Sequence, residues 1–140
     1  MDKNLRRELI LDNFNNPMNK HIGDESYLMI NTNNESCIDN LDIYYKINDG
    51  KIEDICFDGE ACAISTSATS VMIKTLIGKT LSDAREILNN YENMINEQEY
   101  DSELLGELNI YDEIYLQPNR KTCALLPFNS LRKALENCEE

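Results

Sequence analysis

The chain predicts an α+β fold: one amphipathic helix, then a three-stranded antiparallel sheet built as a meander, then several helices. Three observations carry this. Apolar residues near the N-terminus recur at helical spacing. Between residues 27 and 57, runs of β-branched and aromatic residues alternate with polar turns. From residue 62 onward helical spacing returns, punctuated by Gly78 and Thr80.

Taken in order, residues 2 to about 14 form the first helix, with Leu5, Leu9, Ile10 and Phe14 as its stripe. Asn15-Asn16-Pro17 stops it, because the residue before proline avoids the helical region. A loop over residues 18–24 carries the only histidine, His21, which is assigned no catalytic role. Strands follow at residues 27–30, 41–47 and 51–57, and Asn48-Asp49-Gly50 makes a hairpin of the last two. In the third strand Ile55 and Phe57 share one face, which puts Cys56 on the outer, wetter face. The helix from Cys62 ends near Gly78. Thr80 caps the next, whose apolar face is Leu81, Ala84, Ile87, Leu88, Tyr91 and Ile95. Residues 104–110 form a short helical piece, and residues 111–119 a loop or turn closed by Pro118. The last helix begins between residues 121 and 124, with Pro127 in its first turn or so and Cys123 at its N-terminus.

The length of 140 residues suits one domain over residues 1–140 with a real core. Twenty-six acidic residues against 13 basic give a net charge of −13, which repels nucleic-acid phosphates, and no basic patch offsets it. No apolar run is long enough to span a bilayer, and the N-terminus lacks a secretory apolar segment, so a cytoplasmic protein without membrane contact is expected. Five cysteines, an odd number, argue against a disulfide framework, and no CxxC pair exists to form a local zinc knuckle.

The chain is organised around residues 59–72, where a Gly-acid turn leads into Cys62 and a run of small and hydroxyl side chains. A helix start there favours the ionised thiol. In a three-stranded meander, the loop between strands one and two lies at the same end as the exit from strand three. That loop holds Cys37 and Asp39, so both can converge with Cys62. With Cys123 they make a plausible tetrahedral set for Zn²⁺, or for an iron–sulfur cluster. Arg120 and Lys121 would offset the ligands' charge. From spacing alone, cysteines packed as buried hydrophobes fit as well.

Four segments carry a resemblance across nearly the whole chain. Leu9-Ile10-Leu11-Asp12-Asn13-Phe14 with Asn16-Pro17-Met18-Asn19-Lys20 resembles the opening helix and Asn-Pro loop of the SufU branch of the IscU-like, NifU N-terminal family of iron–sulfur cluster assembly proteins. Asn34-Glu35-Ser36-Cys37-Ile38-Asp39 is similar to its Asn-Pro-x-Cys-Gly-Asp motif. Gly59-Glu60-Ala61-Cys62-Ala63-Ile64-Ser65 is similar to its Gly-x-Gly-Cys-x-Ile-Ser segment, and Arg120-Lys121-Thr122-Cys123-Ala124-Leu125-Leu126 to its Arg-x-x-Cys-Ala-x-Leu segment. The departures are Glu35 for proline, Ile38 and Ala61 for glycine, and Thr122 for the lysine common in SufU-type members.

The resemblance implies a small antiparallel sheet with the N-terminal and C-terminal helices packed on it. It also implies the ligands Cys37, Asp39, Cys62 and Cys123. IscU-type scaffolds carry a histidine where this chain has Thr122, and Cys62 and Cys123 are as widely spaced as in SufU-type members (123 − 62 = 61). Both features favour zinc-bound sulfur transfer. The implied partner is a pyridoxal-phosphate cysteine desulfurase of the SufS kind, which would pass sulfur to Cys37 before it reaches downstream iron–sulfur assembly proteins. Arg120 and Lys121 would face that partner. The alternatives are a scaffold that builds and passes on a [2Fe–2S] cluster, and a zinc-bound module that only binds partners.

Overall fold

The computed structural model describes residues 2–34 and 38–138. Helix α1 (Lys3–Asn15) is followed by strands β1 (Leu28–Asn33), β2 (Asn40–Asn48) and β3 (Lys51–Glu60). Helices α2 (Ala63–Leu76) and α3 (Leu81–Ile95) come next, then a four-residue helix α4 (Ser102–Leu105) running into a 3-10 turn (Gly106–Tyr111). A second 3-10 turn (Ile114–Leu116) precedes α5 (Pro118–Glu136). An N-terminal helix, an antiparallel sheet of order β1-β2-β3 and C-terminal helices packed against it are as expected.

The β2–β3 hairpin closes where the sequence demands. Asn48 pairs with Lys51, and Asp49 and Gly50 both take positive φ (55° and 72°), the backbone of a type I′ turn. Leu41, Ile43 and Tyr45 of β2 and Ile55 and Phe57 of β3 enter the core, and α5 packs against β1 on this side. The apolar face of α3 named above is buried in full, and Thr80 caps it by accepting from Asp83 N–H.

The other face of the sheet is covered too, which corrects the expectation for Cys56: it is fully buried. The segment over residues 18–27 straps this face. Lys20 bridges to Phe57 along the free edge of β3, and Asn19 Nδ2 donates to Ile55 O at 3.0 Å. The Tyr27 ring stands edge-on to Tyr44, and its hydroxyl donates to Asp54. Gly23 passes so close to Tyr44 that a Cβ would lie 2.7 Å from its ring. The strap also blunts an otherwise open sheet edge. His21 lies exposed on it.

Helix α2 is the centre of the helical layer, packed against α1, α5 and the end of β3. Every residue from Ser65 to Ile73 is buried. Its small side chains allow that close approach, and its hydroxyls are individually satisfied, as burial requires. Thr69 donates to Ser65 O at 2.7 Å, Ser67 accepts from Tyr111 O–H at 2.7 Å, and Ser70 donates to Asn13 Oδ1 at 2.8 Å. In α1 it is accordingly Asn13 that is buried. Leu5 and Phe14 of the expected stripe face outward, leaving Leu9 and Ile10 against the core.

Helix α5 departs most from expectation. Pro118 occupies its first turn rather than closing a loop, so the helix starts earlier. Cys123 therefore sits in its second turn and not at its N-terminus. Pro127 lies in the helix interior. A proline there has no N–H for the carbonyl four residues back, which is that of Cys123.

Candidate metal centre

The site forms where β2 begins, β3 ends and α2 starts. Asn40 pairs with Glu60 and Leu41 with Gly59. Gly59 has φ +122°, and a Cβ on it would lie 2.3 Å from Asn40 O. Only glycine fits, and its fit brings Asp39, just ahead of β2, up to Cys62. Asn34 N–H donates to Asp39 O at 3.0 Å, tying together the chain on either side of residues 35–37. Cys37 itself falls outside the described residues.

Cys62 is the N-cap of α2, in extended conformation, with its sulfur 3.5 Å from Ser65 N–H. The cap position normally taken by an oxygen-bearing side chain is thus filled by a thiol. Cys123 reaches the same point from α5 and is 4% exposed. One donor atom from each of Asp39, Cys62 and Cys123 lies within 4.8 Å of the others. Donors sharing a tetrahedral zinc lie roughly 3.3–3.8 Å apart, given bonds of 2.0–2.3 Å. A contraction of about 1 Å would close the set.

Asp39 is buried, and both its oxygens are engaged. Oδ1 accepts from Cys62 N–H at 2.7 Å, and Oδ2 accepts from the Ser65 hydroxyl at 2.6 Å. Burial pushes its carboxyl up, but the hydrogen bonds from Ser65, Cys62 and Cys123 prevail and hold it below the usual carboxylate value. Burial pushes the Cys123 thiol up to about 12, with Cys62 and Asp39 adding to the effect. Without a cation beside it, the Cys123 thiol is thus held in its protonated form. A dication bound there would invert that logic and favour the thiolate of Cys123. Two soft sulfur donors and a carboxylate, arranged this way, suit Zn²⁺ or iron.

Ser65 is the residue sequence reasoning undervalued. Its hydroxyl lies 2.6 Å from Asp39 Oδ2, 3.0 Å from Cys123 O and 3.6 Å from Cys62 Sγ, so it touches all three converging residues. Its place three residues after a helix-capping cysteine was the available signal.

Arg120 and Lys121 form no ion pair with Asp39, Cys62 or Cys123 among the described residues. Arg120 instead lines a groove of about 540 Å³ between α1, the start of α2 and the segment leading into α5. Lys3 and Arg7 share its rim, and Leu11, Ile64 and Leu116 its apolar surface. Ala63 and Ile64, which directly follow Cys62, also line the groove, so it opens beside the metal centre. On a chain of charge −13 this is an unusual gathering of cations. Among the described residues, no helix is long and apolar enough to cross a membrane.

Comparison with known proteins agrees with this fold. The profile of the NifU-like N terminal domain matches residues 5–137. The zinc-dependent sulfurtransferase SufU of Bacillus subtilis is 30% identical over 132 residues, covering 94% of this chain and 89% of that protein. The iron–sulfur cluster assembly scaffold protein IscU of Thermotoga maritima is 28% identical, covering 96% and 94%. Among solved structures, a candidate iron–sulfur cluster assembly scaffold protein for the SUF system from Fervidobacterium islandicum superposes with a TM-score of 0.89 at 32% identity, covering 96% of this chain and 99% of that one. With its N-terminal helix, antiparallel sheet and C-terminal helices shared over almost its whole length, the chain belongs to the NifU-like N-terminal domain family, the iron–sulfur cluster assembly group of the SufU and IscU proteins.

Proposed function

We propose that this protein is a zinc-dependent sulfur-transfer protein of iron–sulfur cluster assembly, which accepts persulfide sulfur on Cys37 from a pyridoxal-phosphate cysteine desulfurase. The observation that carries the reading is the convergence of Asp39, Cys62 and Cys123. Cys37 stands two residues before Asp39 in the sequence and is the natural fourth donor. The likeness to a zinc-dependent sulfurtransferase supports it, as does Thr122 where IscU-type scaffolds carry a histidine.

Zinc would be held by Cys37, Asp39, Cys62 and Cys123, and would supply the positive charge that keeps thiols ionised near neutral pH. The chain's own residues do the rest. Cys62 and Cys123 are held by buried helices and act as anchors. Cys37, as thiolate, attacks the outer sulfur of the desulfurase persulfide. A new S–S bond forms to Cys37, the old one breaks, and the desulfurase cysteine departs as thiolate, so atoms and electrons balance. Asp39 would be the weakest donor of such a set and the one suited to exchange. Arg120, which lines the groove beside the centre, and its sequence neighbour Lys121 would be the partner-facing residues, meeting acidic groups of the desulfurase. Sulfur then passes to downstream assembly proteins in the cytoplasm.

The test is the rate of a cysteine desulfurase with and without the zinc-loaded chain. Wild type is expected to stimulate it and Cys37→Ser to abolish the stimulation. Full stimulation by Cys37→Ser removes Cys37 from the acceptor role. A second reading, a scaffold for a [2Fe–2S] cluster, is favoured by the IscU relatives. Anaerobic reconstitution that yields a stable cluster transferable to an apo-protein would support it instead.

A further inference from the structure

The groove between α1, the start of α2 and the segment leading into α5 carries a charge opposite to that of the chain. Its lining holds four cations, Lys3, Arg6, Arg7 and Arg120, against one carboxylate, Glu113. The protein as a whole has 26 acids and 13 cations. Arg6 is engaged internally: it pairs with Asp112 at 2.8 Å and with Glu113 at 3.5 Å, so the groove's own acid is neutralised. Lys3, Arg7 and Arg120 are exposed and form no ion pair among the described residues. On so acidic a chain, three such cations around one groove make a local positive field that attracts an anion from outside. No basic run in the sequence marks this patch, because folding assembles it from residues 3–7 of α1 and residue 120 of α5.

Between the cations the surface is aliphatic. Ile10, Ile64, Ile110 and Ile114 line it, and Leu11 and Leu116 stand 47% and 64% exposed there. No aromatic ring lines it among the described residues, so the bases of a nucleic acid find no platform to stack on. The acidic remainder of the chain repels nucleic-acid phosphates and anionic lipid alike. Carboxylates next to aliphatic side chains fit both parts of the lining. A groove edged by helices is a common seat for an amphipathic peptide segment that supplies both.

We propose that this groove is the docking site for an acidic amphipathic peptide segment of a protein partner, one that carries Leu or Ile side chains flanked by Asp or Glu. The inference rests on the reading that Arg120 faces a partner, and it needs neither the metal nor the sulfur step. The segment's aliphatic side chains pack on Leu11, Ile64 and Leu116, while its carboxylates meet Lys3, Arg7 and Arg120. Ile64 follows Cys62 by two residues, so a seated segment reaches within one helical turn of the candidate metal centre. Recognition and chemistry then use adjoining but separate residues.

The experiment is selection of random displayed peptides, about 12 residues long and so able to form three helical turns, on the full zinc-loaded chain. Bulk electrostatics and the groove predict opposite winners: a chain of charge −13 draws Lys- and Arg-rich peptides, whereas the groove selects acidic ones. The expected winners carry Asp or Glu beside Leu or Ile. A labelled synthetic copy, followed by fluorescence anisotropy, is expected to bind Arg7→Glu and Leu116→Asp roughly fivefold or more weakly than wild type, the loss that marks an important interface residue. Both positions are exposed, so the thermal midpoints should stay at the wild-type value. If either variant folds poorly, Lys3→Glu replaces it, since an acid in the first turn of α1 suits the helix dipole. Basic winners, no enrichment, or winners that bind the variants as tightly as wild type overturn the proposal. The selection contains no desulfurase, so it and the stimulation assay fail separately.

Discussion

The two halves of the candidate metal centre are built differently. Cys62 and Cys123 stand on α2 and α5, whose flanking residues are among the most buried of the chain, from Ser65 to Ile73 on one side and Ala124, Phe128 and Leu131 on the other. Asp39 stands just ahead of β2, beside an Ile38 that is 68% exposed. Asp39 is itself buried, yet what orients its carboxylate is hydrogen bonding from the helical half, through Cys62 N–H and Ser65. The difference is between donors placed by packing and a donor placed by exchangeable hydrogen bonds. Packed cores are stiff, whereas a hydrogen bond can be remade at small net cost. The helical half is therefore suited to anchor a metal, and the loop half to open and close it.

Removing an anchor should have the largest effect. Cys62→Ser or Cys123→Ser is expected to lower zinc affinity by more than the roughly 10–100-fold that losing an outer-shell partner costs, measured by competition with a chelator. Asp39→Asn should cost less than either. Equal losses at all three positions would erase the distinction between the halves.

Next comes the joint between them. Gly59→Ala places a Cβ 2.3 Å from Asn40 O at φ +122°, and the backbone strain alone is worth about 1–3 kcal/mol. Thermal unfolding should show a marked drop, and zinc affinity should fall with it, because the change pushes Asp39 away from Cys62. A stable variant with weakened zinc binding would place the effect on the loop half alone.

The metal-free chain should also be alkali-sensitive. The folded state raises the Cys123 pKa from 9.0 to about 12. Folding therefore favours the protonated thiol, and that contribution is intact below about 9 and lost as pH rises toward about 12. Cys123→Ala should make the fall of stability with pH shallower by up to one proton over this window, read from denaturant midpoints. An unchanged slope would mean that the thiol is not strained by its neighbours.

The smallest effect is at the groove. Arg120→Glu should raise the concentration of chain needed to stimulate the desulfurase several-fold, with little change in maximal rate or zinc content, and Lys121→Glu should do less. An effect on maximal rate would move Arg120 from docking to chemistry.

Much of this was legible in the sequence because the signals are local. Asn48-Asp49-Gly50 encodes its own turn, Thr80 its own cap, and the apolar spacing of α3 its own buried face. The topology of a meander was enough to bring Asp39 to Cys62. What was not legible depends on distant partners. Cys56 reads as outward-facing by strand alternation, but residues 18–27 return to cover it. Pro118 and Pro127 read as a loop closer and a first-turn proline. In fact the first proline starts α5 and the second lies within it, where the Ser65 hydroxyl donates to the Cys123 carbonyl in place of the missing N–H. Nothing local ties the hydroxyls after Cys62 to a distant partner, yet Ser65 meets Asp39, 26 residues away, and the Cys123 carbonyl, 58 residues away.

The central claim, that the helical half anchors and the loop half reacts, is tested most directly by locating the transferred sulfur. The zinc-loaded chain is incubated with a cysteine desulfurase and cysteine, its thiols are blocked, and its peptides are mapped by mass spectrometry. The account predicts one added sulfur on the peptide bearing Cys37 and none on those bearing Cys62 or Cys123. Sulfur on Cys62 or Cys123, with Cys37 unmodified, would contradict it.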